Sequence, residues 1–276
     1  MALNAASTCL NGEMGCQNQE NWGSTETLRS LAKQFELYKA AGSVNDEETD
    51  HENINDDGIT ECLAAKSDHR YCSNSDSVDS RRAAVLICLF EGRQGPLCVP
   101  CLIRPSGPNA VLTPQRGEVA LPGGKMEEGD VDDSATALRE AMEEIGLDPG
   151  LVQVVGTLEP FISQHLLSVV PVVALLGRMG DFEPKINTDE VDAIFDVPLQ
   201  MFLEEDGHRC EEREWRGWKY GLHLFDYESE QGAFLIWGLT ASILIRAATV
   251  IYQRPPSFTH HLPDFQHLQR AFNTMP

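Results

Sequence analysis

Leu121-Pro122-Gly123-Gly124-Lys125-Met126-Glu127-Glu128-Gly129-Asp130, then after eight residues Arg139-Glu140-Ala141-Met142-Glu143-Glu144-Ile145-Gly146-Leu147, is the stretch on which the reading of this chain turns. Asp132 to Leu147 has helical spacing, with Ala135, Leu138, Met142 and Ile145 as its apolar stripe. Glu140, Glu143 and Glu144 stand at i, i+3 and i+4 and share another face, within about 6 Å along the axis. Like charges that close repel by on the order of 3 kcal/mol per pair at an effective dielectric of about 20. Compensation is required. Arg139, four residues before Glu143, is placed to pair with it, and the remaining carboxylates form a hard, all-oxygen donor set suited to Mg²⁺ or Mn²⁺. Gly123 and Gly124 allow a backbone group to approach a metal or a phosphate closely. Asp132 and Asp133 supply capping charge at the helix start. A Glu-rich helix face is ordinarily only solvated; the glycine pair just upstream and the adjacent arginine set this one apart.

The segment resembles the Nudix box, Gly-x5-Glu-x7-Arg-Glu-U-x-Glu-Glu-x-Gly-U with U apolar. Gly124, Arg139, Glu140, Ala141, Glu143, Glu144, Gly146 and Leu147 match it in order. Asp130 stands where glutamate is usual, and eight residues, not seven, separate it from Arg139. The coenzyme A diphosphatase branch of that family has a similar Asp-rich, longer box, here Gly129-Asp130-Val131-Asp132-Asp133. The lead-in Gly117-Glu118-Val119-Ala120-Leu121-Pro122-Gly123-Gly124 is similar to that branch. Leu158-Glu159-Pro160-Phe161, Phe195-Asp196-Val197-Pro198-Leu199 and Ile236-Trp237-Gly238-Leu239-Thr240 resemble its plant members. The branch's upstream motif is changed, since Arg104 is followed by Pro105 and Gly117 comes thirteen residues after that arginine.

The resemblance implies a Nudix-type α/β/α sandwich with a mixed sheet. It also implies Mg²⁺- or Mn²⁺-dependent attack of water on a nucleoside diphosphate linked to a second group. The substrate expected for this branch is coenzyme A or an acyl derivative, cut to adenosine 3′,5′-bisphosphate and a 4′-phosphopantetheine. Glu140 and Glu144 are then the first-choice metal ligands, with Gly124 contributing backbone and Glu143 acting as ligand or as the base that deprotonates water. Glu144 is the other candidate base, and Glu190, in a loop before an apolar strand, is an outside one that also fits a surface or capping role. Lys125, Arg104 and Arg116 are placed to hold phosphates, or to be solvated loop residues. Two other readings stand beside this one: a Nudix hydrolase of another dinucleotide such as ADP-ribose or reduced NAD, and a non-catalytic Nudix binding module.

Outward from the box, strands are expected at Arg82–Phe90 and Leu97–Ile103, then, after a turn region at Pro105–Arg116, a short one ending at Leu121, and further ones at Leu151–Val155, Leu167–Leu176 and Val191–Val197 and between Trp215 and Tyr227. Trp218 and Tyr220 alternate with Leu222 and Leu224, which fits one face of a half-buried strand or an adenine-stacking surface. Phe234–Tyr252 reads as one long apolar helix, buried and not spanning a membrane because Ser242 and Arg246 interrupt it. Strands and helices intermixed around one core give an α/β class with a mixed sheet.

Upstream, Ser24–Ala41 reads as a capped amphipathic helix with Leu28, Leu31, Phe35 and Tyr38 on one stripe. From Ser43 to Ser80 eleven acids face only Lys66 and Arg70, with few large apolar residues, so an acidic, disordered linker is expected. The organisation read from this is a leader at 1–80, a catalytic domain at 81–256 and a tail at 257–276.

The 276 residues carry a net charge of −22, of which −10 falls in residues 1–80. That excess argues against nucleic acid or an anionic membrane surface as partner, and requires a cation wherever a polyanionic small molecule binds. Eight cysteines come without a secretory pattern at the start, and Cys98 and Cys101 fall on opposite faces of a strand, unlike paired zinc ligands. A cytosolic location with free thiols is the expectation, with mitochondrion and peroxisome also open.

Overall fold

The strand Arg82–Glu91 (β1) is apolar on both faces, and it lies at the middle of the protein. The computed structural model describes residues 26–42, 82–92, 96–105, 117–163, 167–177, 179–215, 218–229 and 231–259. The expected acidic linker lies outside the described residues, as do Arg116 and most of the C-terminal tail. Ala84, Leu86, Cys88 and Phe90 point into one hydrophobic cluster, while Ala83, Ile87 and Leu89 point into another. A strand that is covered on both sides must carry such a continuous apolar run.

Around β1 is an eight-stranded mixed sheet. Its other strands are Leu97–Arg104 (β2), Glu118–Ala120 (β3), Gly123–Lys125 (β4), Val152–Thr157 (β5), Phe161–Ile162 (β6), Ser168–Leu176 (β7) and Ala193–Pro198 (β8). The main path runs β3-β2-β1-β7-β5, with β4 on β1, β6 on β7 and β8 on β2. β1 and β7 are parallel over Arg82–Leu89, and β2 pairs antiparallel with β8 from Cys98 to Ile103. A separate three-stranded sheet holds His208–Trp215 (β9), Trp218–Ser229 (β10) and Gly232–Trp237 (β11), in the order β11-β10-β9.

Helices cover both faces. Asp133–Ile145 (α2) presses Ala137, Ala141 and Ile145 onto the Ala84–Phe90 face. Glu26–Gly42 (α1) and Gly238–Tyr252 (α3) contribute Leu28, Leu31, Phe35, Leu244 and Ala248 to the opposite cluster. The result is an α/β/α sandwich with a mixed sheet. α1 is tied in further by Gln34, whose Nε2 donates to the Val250 carbonyl at 2.8 Å. Of the stripe expected on this helix, Leu28, Leu31 and Phe35 are buried, and the Tyr38 side chain lies outside the description.

Three expectations need correction. Phe234–Tyr252 is not one helix: Gly232–Trp237 is a strand, with Phe234 and Ile236 buried at alternate positions, and Gly238, at φ 65°, turns the backbone where α3 begins. The inward face of α2 is also different. Met142 is 49% exposed and Ala135 and Leu138 are half-buried, while Thr136, Ala137, Ala141, Glu144 and Ile145 are buried. Small side chains at 137 and 141 let the helix sit close to the sheet, and that choice rotates Met142 outward. β9 was not anticipated, because its charged residues hide any alternation.

α3 is buried as expected, its Arg246 only 6% exposed and paired with Glu159. No described helix is long and apolar enough to cross a membrane. Cys98 and Cys101 enter opposite clusters, and both are free, as are Cys88 and Cys210. Burial pushes the Cys88 thiol up to about 12.

Candidate active site

The site forms where β4 and α2 meet. β4 pairs antiparallel with the first half of β1, matching Val85 with Gly123, Ala84 with Gly124 and Ala83 with Lys125. The approach is close enough that a Cβ on Gly123 would lie 2.3 Å from the Ala84 carbonyl oxygen and 2.6 Å from Val85 Cα. Only glycine fits there. α2 is fixed at its start by Asp132, which accepts from the Ala135 N–H at 2.8 Å, and by the two-pronged Arg82–Asp133 pair, with both contacts at 2.6 Å. Its end is closed by Gly146 in the left-handed conformation, whose N–H donates to Met142 O.

On this frame the three glutamates separate. Glu144 is fully buried and accepts from the Gly123 N–H at 3.0 Å through Oε2. Its Oε1 lies 2.5 Å from Arg104 Nη2, which also donates to the Gly123 carbonyl at 2.6 Å. Burial pushes Glu144 up to about 7, against the pull of Arg104 and the Gly123 N–H. Glu140 lies against Gly124, where an added Cβ would fall 2.3 Å from Oε1 and 2.7 Å from Oε2. Burial raises its carboxyl too, with Arg139 opposing. Glu143 turns outward, 54% exposed, and meets Arg139 at 3.2 Å.

Arg139 organises the outer side. It contacts Glu140 at 3.0 Å and Asp130 at 3.1 Å, and donates to the Lys125 carbonyl at 3.0 Å. Asp130 also accepts from the Glu127 N–H at 3.0 Å and the Thr136 hydroxyl at 2.9 Å. With Arg139 as the main cause, its carboxyl is held down at about 2. No local spacing signals this bond, because Asp130 precedes Arg139 by nine residues across the helix cap. Among the described candidates for phosphate contacts, Arg104 reaches the glutamates and Lys125 is exposed beside them. Glu190 is exposed in the turn before β8, yet close enough for its charge to raise Glu144.

Among the described residues no three His, Cys, Asp or Glu side chains gather closely enough to hold an ion by themselves. Mg²⁺ does not need that. It keeps several waters and takes one or two carboxylates together with substrate oxygens. Glu140, seated on the bare Cα of Gly124, and Glu144, held by the Gly123 N–H, fit that demand.

A NUDIX domain model matches residues 80–218 of the chain. The chain belongs to the Nudix family. Its fold and its relatives make it a Nudix pyrophosphohydrolase. It is 50% identical over 222 residues to Nudix hydrolase 15, mitochondrial, of Arabidopsis thaliana, covering 80% of this chain and 75% of that protein. It is 46% identical over 256 residues to Nudix hydrolase 22, chloroplastic, of the same plant, covering 90% and 80%. It is 36% identical over 183 residues to the peroxisomal coenzyme A diphosphatase NUDT7 of Mus musculus, covering 66% and 75%. These names place the relatives in the mitochondrion, the chloroplast and the peroxisome, which lends the cytosolic expectation no support.

Proposed function

We propose that the chain is a Mg²⁺- or Mn²⁺-dependent coenzyme A diphosphatase. In this reading it cleaves coenzyme A or an acyl-coenzyme A to adenosine 3′,5′-bisphosphate and the (acyl-)4′-phosphopantetheine. The observation that carries the chemistry is the seating of Glu140 on Gly124 and of Glu144 on the Gly123 N–H, two carboxylates held at one glycine pair of β4. The substrate class is supported by the mouse relative and by the lead-in Gly117–Gly124, which forms β3, β4 and the turn between them.

The reaction adds water to one phosphorus of the bridge and breaks that phosphorus's bond to the bridging oxygen. The attacking water gives up a proton in the process. A bound divalent cation would neutralise phosphate charge and acidify that water; Glu140 and Glu144 would hold it, with the Gly124 backbone as a further donor. Arg139 positions Glu140 and Glu143 by holding both from one guanidinium. Three carboxylates are candidates to take the proton. Glu144 is pushed up to about 7 by burial; Glu143 is exposed and tethered to Arg139; Glu190 is exposed and within electrostatic reach of Glu144. Lys125 and Arg104 are the described cations available for the substrate's phosphates.

Product analysis on coenzyme A, acetyl-coenzyme A, ADP-ribose and reduced NAD, each with Mg²⁺ or Mn²⁺ and with chelator, tests the reading. Release of adenosine 3′,5′-bisphosphate is the expected result. Intact coenzyme A beside cleaved ADP-ribose would move the protein to the other dinucleotide class, and inertness on the whole panel would leave a binding module.

A further inference from the structure

Arg104 stands where a cation belongs. It closes β2, reaches across to α2, and its Nη2 bridges Glu144 Oε1 at 2.5 Å and the Gly123 carbonyl at 2.6 Å. Glu144 is fully buried and its other oxygen is already taken by the Gly123 N–H. Arg104 is therefore the counter-charge of a carboxylate that burial would otherwise strand. We propose that Arg104 is an exchangeable counter-ion, which neutralises Glu144 in the metal-free protein and is displaced by the divalent cation, leaving its guanidinium free for the substrate's phosphates. This rests on the metal role given to Glu144 above.

The two arginines of the site differ in how they could move. Arg139 is 23% exposed and is held by Asp130, Glu140, Glu143 and the Lys125 carbonyl, so releasing it breaks a whole network. Arg104 is 35% exposed, and among the described residues it meets one carboxylate and one carbonyl. Arg104 already lies at contact distance from Glu144 Oε1, and the other oxygen of that carboxylate is taken by the Gly123 N–H. A guanidinium and a dication on the same oxygen repel each other at close range, so binding one must loosen the other.

Mn²⁺ binding to the full-length protein, followed by electron paramagnetic resonance, tests the exchange without turnover. Arg104→Gln should bind Mn²⁺ about tenfold more tightly than the parent, a difference of about 1.4 kcal/mol. Arg104→Lys, which keeps the charge, should stay close to the parent. Unchanged or weaker binding by the Gln variant overturns the proposal. A second readout needs no variant: phenylglyoxal modification of Arg104 in the parent, quantified by mass spectrometry, should speed up on Mn²⁺ addition and slow again with chelator. An unchanged or slower rate with Mn²⁺ overturns it even if the Gln variant fails to fold. A parent that binds no Mn²⁺ at all sinks the metal role of Glu144 and this inference together, whereas normal Mn²⁺ binding with an indifferent Gln variant sinks this inference alone.

Discussion

Asp130 and Glu144 are both carboxylates withdrawn from solvent, their side chains 7% and 0% exposed, and both face an arginine. Their acidities move in opposite directions. Asp130 is held at about 2, with Arg139 as the main cause and the Glu127 N–H and Thr136 hydroxyl assisting. Glu144 is pushed up to about 7 because burial outweighs Arg104 and a single N–H. The difference is the depth of burial together with the number of donors per charge. Where a fold surrounds a carboxylate with donors, it makes a permanent anchor. Where it buries one and leaves it under-satisfied, it creates demand for a cation. Asp130 with Arg139 is the anchor of this site, and Glu144 with Arg104 is its receptive end.

The largest test of that contrast is Glu144→Gln. Turnover should fall by about a thousandfold or more, beyond the 10- to 100-fold typical of outer-shell partners, while circular dichroism stays native. Full turnover would remove Glu144 from the chemistry. Next come the two glycines. Gly123→Ala drives a Cβ into the β1 backbone and should cost about 3 kcal/mol in urea unfolding. Gly124→Ala meets only the movable end of Glu140, so stability should change little while Mn²⁺ affinity drops about tenfold. Equal behaviour of the two variants would break the distinction between scaffold and site.

On the anchor side, Arg139→Ala should lower unfolding free energy by about 2 kcal/mol, since it strands Asp130. The smallest effect concerns acid. Asp130 is more acidic in the fold than its ordinary 3.8, so its stabilisation is complete above that value and is lost as pH falls toward about 2. Urea midpoints for the parent should drop over that window. Asp130→Asn should flatten the drop, and parallel acid limbs would show that Asp130 is no anchor.

Much of the fold was legible because its signals are local. β1, β2 and β7 are apolar runs, buried on both faces, and such runs read directly as strands. α2 carries its own cap at Asp132 and its own stop at Gly146. β9 carried no such signal, and β11 was absorbed into the helix that follows, since Phe234-Leu235-Ile236-Trp237 is apolar in any conformation. The exposure of Met142 has the same origin. A helix with alanines at 135, 137 and 141 offers two candidate stripes, and only the sheet it packs on selects one.

The sequence by itself determined which residues gather at the candidate site, because a helix places i, i+3 and i+4 together whatever surrounds it. Glu140, Glu143, Glu144 and Arg139 follow from spacing alone. Tertiary structure decided what each one does. The register of β4 on β1 delivers the Gly123 N–H to Glu144 and the bare Cα of Gly124 to Glu140. The path of β2 brings Arg104 from thirty-five positions before Arg139 onto the same helix face. Burial then splits three chemically identical carboxylates into one exposed and two withdrawn. Composition and spacing specify charge, but the cost of a charge depends on how much water and how many donors surround it, and only packing sets both.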